Sequence, residues 1–170
     1  NQNWTEKHFT SSNYIPHLAY ENSKELFYKS KKIGKNKFNT SDFVFEPILL
    51  KDNIFFYDLA GSIYNFSIKE ERLVWEFNFY KKRYRDIPIK IKLKISNQKL
   101  IASDNFGYLY SLNINSGKLD WAKNYGIPFR SNIKIDDGNI FVLNQDNKYY
   151  SIRESDGELN LNLETFPSFL

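Results

Sequence analysis

Apolar and polar positions alternate along this chain in a pattern that recurs. The clearest stretch, 100–121, reads LIASDNFGYLYSLNINSGKLDW and holds three strand-sized apolar runs separated by two tight-turn signals. Residues 100–103 are extended in character. Asp104-Asn105-Phe106-Gly107 forms a turn in which Gly can take positive φ, and 108–114 alternates inward and outward side chains. Asn115-Ser116-Gly117 turns the chain again, and 118–121 begins another strand. These turns fix the register.

The same unit occurs at 53–75 (NIFFYDLAGSIYNFSIKEERLVW) and at 139–161 (NIFVLNQDNKYYSIRESDGELNL), and the three align without gaps. Asp58, Asp104 and Asn144 open the first turn; Gly61, Gly107 and Asn147 close it, all residue types that tolerate the left-handed region. Tyr64, Tyr110 and Tyr150 share one inward column, and Phe66, Leu112 and Ile152 the next. Gly117 and Gly157 occupy the second turn, where the first copy has Glu71. Trp75 and Trp121 share a final column with Leu161.

Successive copies lie 46 and 40 residues apart, the period of four-stranded propeller blades. One copy cannot bury both faces of its small sheet, so stacked copies must supply the core. The expected fold is therefore all-β, a β-propeller of four-stranded antiparallel blades with about three to four blades present. Residues 1–42 read as an irregular arm and a divergent partial blade, with 25–31 as the last strand of that blade. Blades follow at 43–79, 80–125 and 126–164, and 165–170 starts another. Propellers close with roughly four to eight blades, so the chain is expected to be part of a longer protein. In the second blade the strand 87–95 alternates Ile89, Ile91, Leu93 and Ile95 against Lys90, Lys92 and Lys94. That alternation predicts one solvated face.

Composition adds limits. The 170 residues carry a net charge of +4 with both signs interspersed, which does not call for a nucleic-acid role. Aromatic residues make up 18%, in keeping with strands. Without cysteine, disulfides, thiolate nucleophiles and zinc–sulfur sites are excluded. No apolar run approaches the roughly 18 residues that span a bilayer. There is no Met and the chain opens on Asn1, so an upstream segment such as a signal peptide is expected.

Little in the chain points to catalysis. His8 and His17, nine residues apart in the arm, lack metal-ligand spacing. No phosphate-cradling Gly loop, nucleophile elbow or calcium loop is present. Asp136 and Asp137 sit beside Gly138, where Asp is favoured for turn geometry. Asn3, Asn39 and Asn65 open glycosylation tripeptides that arise easily in an Asn-rich chain. The most distinctive surface stretch is the basic aromatic loop 79–85. It sets Lys81, Lys82, Arg83 and Arg85 beside Tyr80 and Tyr84, residue types common at interfaces, and is the candidate partner-binding site.

The turn, the apolar run Tyr108-Leu109-Tyr110-Ser111-Leu112 and the following Gly117-Lys118-Leu119-Asp120-Trp121 resemble the quinoprotein-like (PQQ-like) β-propeller repeat over about 43–164. The resemblance implies an eight-bladed ring in which the repeat Trp docks onto the neighbouring blade. Trp75, Trp121 and the turn glycines Gly61, Gly107, Gly117 and Gly157 are then structural. Burying a Trp removes about 150–250 Å² from water, several kcal/mol at ~25 cal/mol per Å² as an upper bound. Within that superfamily the chain looks most like the BamB family of periplasmic lipoproteins of the outer-membrane β-barrel assembly machinery. This implies a non-catalytic, cofactor-free interaction scaffold tethered to the outer membrane through an upstream lipid, with a protein partner. Alternatives from other classes are a fragment of a PQQ-dependent dehydrogenase and a sensor or carbohydrate-binding propeller. Glu71 in place of the turn Gly and Leu161 in place of the Trp are departures from the repeat.

Overall fold

The computed structural model describes residues 28–35, 46–80, 84 and 86–164, and these form twelve strands in three four-stranded antiparallel sheets. Two compact units divide the chain, Asn1–Pro88 and Ile89–Leu170. The first unit holds β1 (Ile48–Leu50), β2 (Asn53–Tyr57), β3 (Ile63–Ser67) and β4 (Arg72–Phe77), paired in chain order. In the second unit one sheet comprises β5 (Ile91–Ser96), β6 (Lys99–Asp104), β7 (Tyr108–Asn113) and β8 (Leu119–Asn124). Its other sheet comprises β9 (Lys134–Asp136), β10 (Asn139–Leu143), β11 (Lys148–Arg153) and β12 (Leu159–Glu164). Among the described residues the protein is all-β, and each sheet has the up-and-down order of a propeller blade.

Turn chemistry makes the three sheets alike. The middle hairpin of each is closed by a residue at positive φ: Gly61 (84°), Gly107 (85°) or Asn147 (61°). The last hairpin is closed by Glu71 (54°), Gly117 (67°) or Gly157 (72°). Glu71 thus keeps the backbone of the glycine it replaces and bears the steric cost of a Cβ there. In the first hairpin of the third blade Asp137 and Gly138 both take positive φ (43° and 69°), the conformation a two-residue primed turn requires.

All three last pairings also carry a register shift at one column: Asn65/Phe66, Ser111/Leu112 and Ser151/Ile152. Val74, Asp120 and Asn160 are the extra residues. Without a bulge Leu119 and Trp121 would share a face, because strand side chains alternate with period two. The extra residue sets Leu119 opposite Leu112 and Trp121 opposite Ser111, on the other face. This local irregularity aims the Trp.

The second unit has a continuous core. Ile101, Leu109 and Trp121 of one blade are buried together with Ile133, Ile140, Val142, Tyr150 and Ile152 of the next.

Three expectations need correcting. The strand expected over 87–95 begins only at Ile91 and runs to Ser96, because Pro88 lacks the N–H that a ladder uses. Of its lysine face only Lys90, ahead of β5, is exposed. Lys94 is 8% exposed, and Lys92 reaches the third blade, where its Nζ donates to the carbonyls of Phe129 (3.4 Å), Arg130 (2.5 Å) and Ser131 (2.8 Å). Finally, 28–31, expected to finish a strand of a preceding blade, has no regular structure, and 25–27 lies outside the described residues. The arm with His8 and His17, the expected strand residues at 43–45 and the further blade at 165–170 also lie outside them.

Candidate functional site

The repeat's acidic column is the first place to look for chemistry, and its side chains are committed to the backbone. Asp58 Oδ1 accepts from the N–H groups of Ala60 and Ser62, each at 3.0 Å. Asp104 Oδ1 accepts from Phe106 and Tyr108, each at 2.8 Å, and Asn144 Oδ1 from Asp146 (3.0 Å) and Lys148 (2.8 Å). In each blade one side-chain oxygen satisfies two turn amides that the ladder leaves unpaired. Asp58 uses its second oxygen as well, accepting from the Tyr64 hydroxyl (2.8 Å) and from the Lys35 amide (2.9 Å). Burial pushes the Tyr64 hydroxyl pKa up, and the Asp58 charge adds to that shift. Such groups hold turns and are poorly placed to transfer protons to a ligand.

In the second unit the repeat Trp and Gly meet. Trp121 is 8% exposed and its Nε1 donates to the Glu154 carbonyl at 3.0 Å. A Cβ on Gly157 would stand 2.5 Å from Trp121 Cε3 and 2.7 Å from Cζ3, so the ring lies on the bare glycine. Tyr125 closes the same contact by donating its hydroxyl to the Gly157 carbonyl at 2.7 Å. Burial first, then the charges of Glu158 and Asp156, push its pKa up to about 12. Edge-on contacts join the Tyr125, Phe129 and Tyr150 rings, with centroids 5.6–5.8 Å apart. Lys99 Nζ donates to the carbonyls of Glu154 and Ser155, and Lys123 pairs with Glu158. Reading by residue type missed Lys92, Lys99 and Tyr125. The repeated spacing of six between 58 and 64, 104 and 110, and 144 and 150 was the visible signal for the Asp–Tyr columns.

In the first unit Trp75 is 8% exposed, with its ring 6.0 Å from Phe55. The candidate loop begins from an aromatic run. Phe79 stacks on Tyr80 at 4.2 Å, Phe77 lies 6.0 Å from Phe79, and Tyr84 meets Tyr80 edge-on at 6.0 Å. Tyr80 is only 4% exposed and its amide donates to Asn78 Oδ1, whose Nδ2 in turn donates to Ala60 and Ser62. Tyr80 therefore anchors the loop and presents little surface; Tyr84 is half-buried. Lys81, Lys82, Arg83 and Arg85 lie outside the described residues. A cleft of about 410 Å³ lies elsewhere in this unit, between 28–33 and the Ile54, Phe56 and Phe66 side chains, with Lys31 and Lys32 on its wall.

Two sequence motifs resolve into structural roles. Asn65 is 4% exposed in β3, where a glycan could not be attached to the folded chain. Asp136 pairs with Asn139 across the turn, and the Asn139 side chain donates to the Asp137 carbonyl. Among the described residues no three His, Cys, Asp or Glu side chains cluster to hold a metal ion, and no helix is long and apolar enough to cross a membrane.

No family model matches the chain, and neither does any curated protein sequence. Solved structures do match. BamB from Moraxella catarrhalis superposes with a TM-score of 0.58 at 13% identity, over 75% of this chain and 36% of its own. A quinohemoprotein alcohol dehydrogenase from Pseudomonas putida HK5 gives 0.61 at 13% identity, over 71% of this chain and 20% of its own. The computationally designed protein Ika4 gives 0.58 at 10% identity, over 69% of this chain and 70% of its own. The chain thus spans about a third or less of the two natural proteins. The likeness establishes a β-propeller fold, with BamB and a quinohemoprotein dehydrogenase among the similar structures.

Proposed function

We propose that this chain is a propeller scaffold that binds a protein partner without catalysis, in the manner of BamB within outer-membrane β-barrel assembly. The reading places it in the periplasm, tethered by a lipid on an upstream segment. One observation carries it: the polar side chains that the repeat contributes are used inside the structure. The Asp58, Asp104 and Asn144 oxygens hold turn amides, and Lys92 and Lys99 hold carbonyls of a neighbouring blade. The repeat is thereby an architectural unit, and recognition falls to what differs between copies. The loop 79–85 is one such difference, and its aromatic base at Phe79 and Tyr80 is packed. Basic side chains on such a base suit an acidic protein surface.

Reversing Lys81, Lys82, Arg83 and Arg85 to Glu is expected to weaken binding to the purified assembly machinery by about tenfold or more, with an unchanged melt. Unchanged affinity would remove the loop from the reading.

A second reading has support in the comparisons, where a quinohemoprotein dehydrogenase matches as well as BamB. On that reading the chain is a fragment of a PQQ-dependent dehydrogenase. Calcium-dependent binding of PQQ would favour it, just as a signal on a glycan array would favour a carbohydrate-binding propeller.

A further inference from the structure

The segment 28–35 crosses one face of the first blade and is fixed to it at both ends. At one end Tyr28 lies against Phe66, with ring centroids 5.8 Å apart. At the other end the Lys35 amide donates to Asp58 Oδ2 at 2.9 Å. Gly34 sits there at φ of 85°, where a Cβ would stand 3.4 Å from Asp58 and 3.5 Å from Tyr64. Phe66 and Tyr64 are two positions apart on β3, about 7 Å along the strand, whereas 28–34 could span about 20 Å when extended. The slack is taken up in the middle of the segment.

Between that middle and the sheet lies the cleft of about 410 Å³. Its floor is apolar, with Ile54, Phe56 and Phe66 from the sheet and Tyr28 and Ile33 from the segment. Ile54 and Phe56 are only half-buried, whereas Ile140 and Val142, in the same columns of the third blade, are packed into the core of the second unit. Ser30, Lys31 and Lys32 complete the lining; none of it is acidic, and all of it lies within the described residues. Both lysines are exposed, and no carboxylate among the described residues pairs with either. The cleft is thus apolar beneath and positive at its wall.

We propose that this cleft binds a medium-chain alkyl carboxylate, its chain on the apolar floor and its carboxylate at the Lys31 and Lys32 ammonium groups. The volume falls within the roughly 300–1,000 Å³ of small-molecule sites. Charge selects an anion, because two lysines and no acid on the wall repel a cationic head group. The floor selects an apolar tail, each buried methylene being worth about fourfold in affinity. A flexible chain can follow a floor of branched and ring side chains beneath a bowed segment, where a rigid polycyclic anion meets the walls. The site is separate from the loop 79–85 and stands or falls independently of the scaffold reading.

Calorimetric titration of the 170-residue chain with hexanoate, octanoate and decanoate, each below its micellar concentration, tests this. Saturable binding is expected, tightening about fourfold for each added methylene. Lys31→Glu combined with Lys32→Glu should weaken decanoate binding about tenfold or more with an unchanged melt, since both side chains are exposed. Lys29→Glu combined with Lys118→Glu makes the same change in net charge on exposed lysines that do not line the cleft, and should alter the affinity by less than about twofold. Octyltrimethylammonium, with a tail of the same kind and the opposite charge, should give no binding heat. The proposal is overturned if no carboxylate binds saturably, in which case residues 28–35 close the face by themselves. It is equally overturned if affinity is flat with chain length, if the two lysine pairs respond alike, or if octyltrimethylammonium binds as well as octanoate.

Discussion

At the scale of single residues, side chains of the second unit are tied down by close packing that residue type alone does not announce. Gly157 is constrained twice, by φ of 72° and by the Trp121 ring. Gly157→Ala is expected to cost about 3 kcal/mol, from backbone strain plus overpacking. Gly126 has a similar φ of 81° but nothing within 4 Å of an added Cβ, so Gly126→Ala should cost about 1 kcal/mol. Urea unfolding of the two variants measures the difference, and equal costs would show that Trp121 yields. Tyr125 adds a pH dependence. Its hydroxyl pKa rises from 10.0 to about 12 in the folded chain, so the folded state holds the proton more tightly than the unfolded state. That contribution is complete below pH 10 and is lost as pH rises toward 12. Tyr125→Phe should flatten the fall in melting temperature over this window, leaving the part due to Tyr64, whose pKa is also raised.

At the scale of elements, the blade is legible in the sequence because its register is written by turn residues. Asp58, Asp104 and Asn144 stand where one side-chain oxygen closes two amides, and that role needs only an acceptor oxygen. Asp104→Asn should therefore change stability by less than about 1 kcal/mol, since Asn144 already performs it, whereas Asp104→Ala should cost about 2 kcal/mol by orphaning the Phe106 and Tyr108 amides. Near-equal costs for the two variants, read by thermal melts, would contradict the turn role. The second blade's first strand was not legible in the same way. Lysine alternating with isoleucine reads as a solvated face, yet Lys92 and Lys94 lie on the face toward the third blade. Lysine stems pack like aliphatic chains, and the Lys92 ammonium ends on three backbone carbonyls. Only the position of the next blade supplies those acceptors, so no local pattern could reveal them. Tyr80 misled for the converse reason: an aromatic residue beside four basic ones reads as an interface anchor, while its ring is stacked inward on Phe79.

At the scale of the whole molecule, the fold is that of a β-propeller, shared by a quinohemoprotein dehydrogenase, BamB and a designed protein. Fold alone does not select among their activities. What favours the scaffold reading is the use to which the repeated polar residues are put, and what carries recognition in that reading is the basic loop 79–85. The most direct test is a calorimetric titration of the chain, run in parallel against the purified outer-membrane β-barrel assembly machinery and against PQQ with calcium. The account predicts saturable binding to the machinery, weakened about tenfold or more when the four basic residues of the loop are reversed, and no heat from PQQ. Calcium-dependent PQQ binding with no binding to the machinery would contradict it.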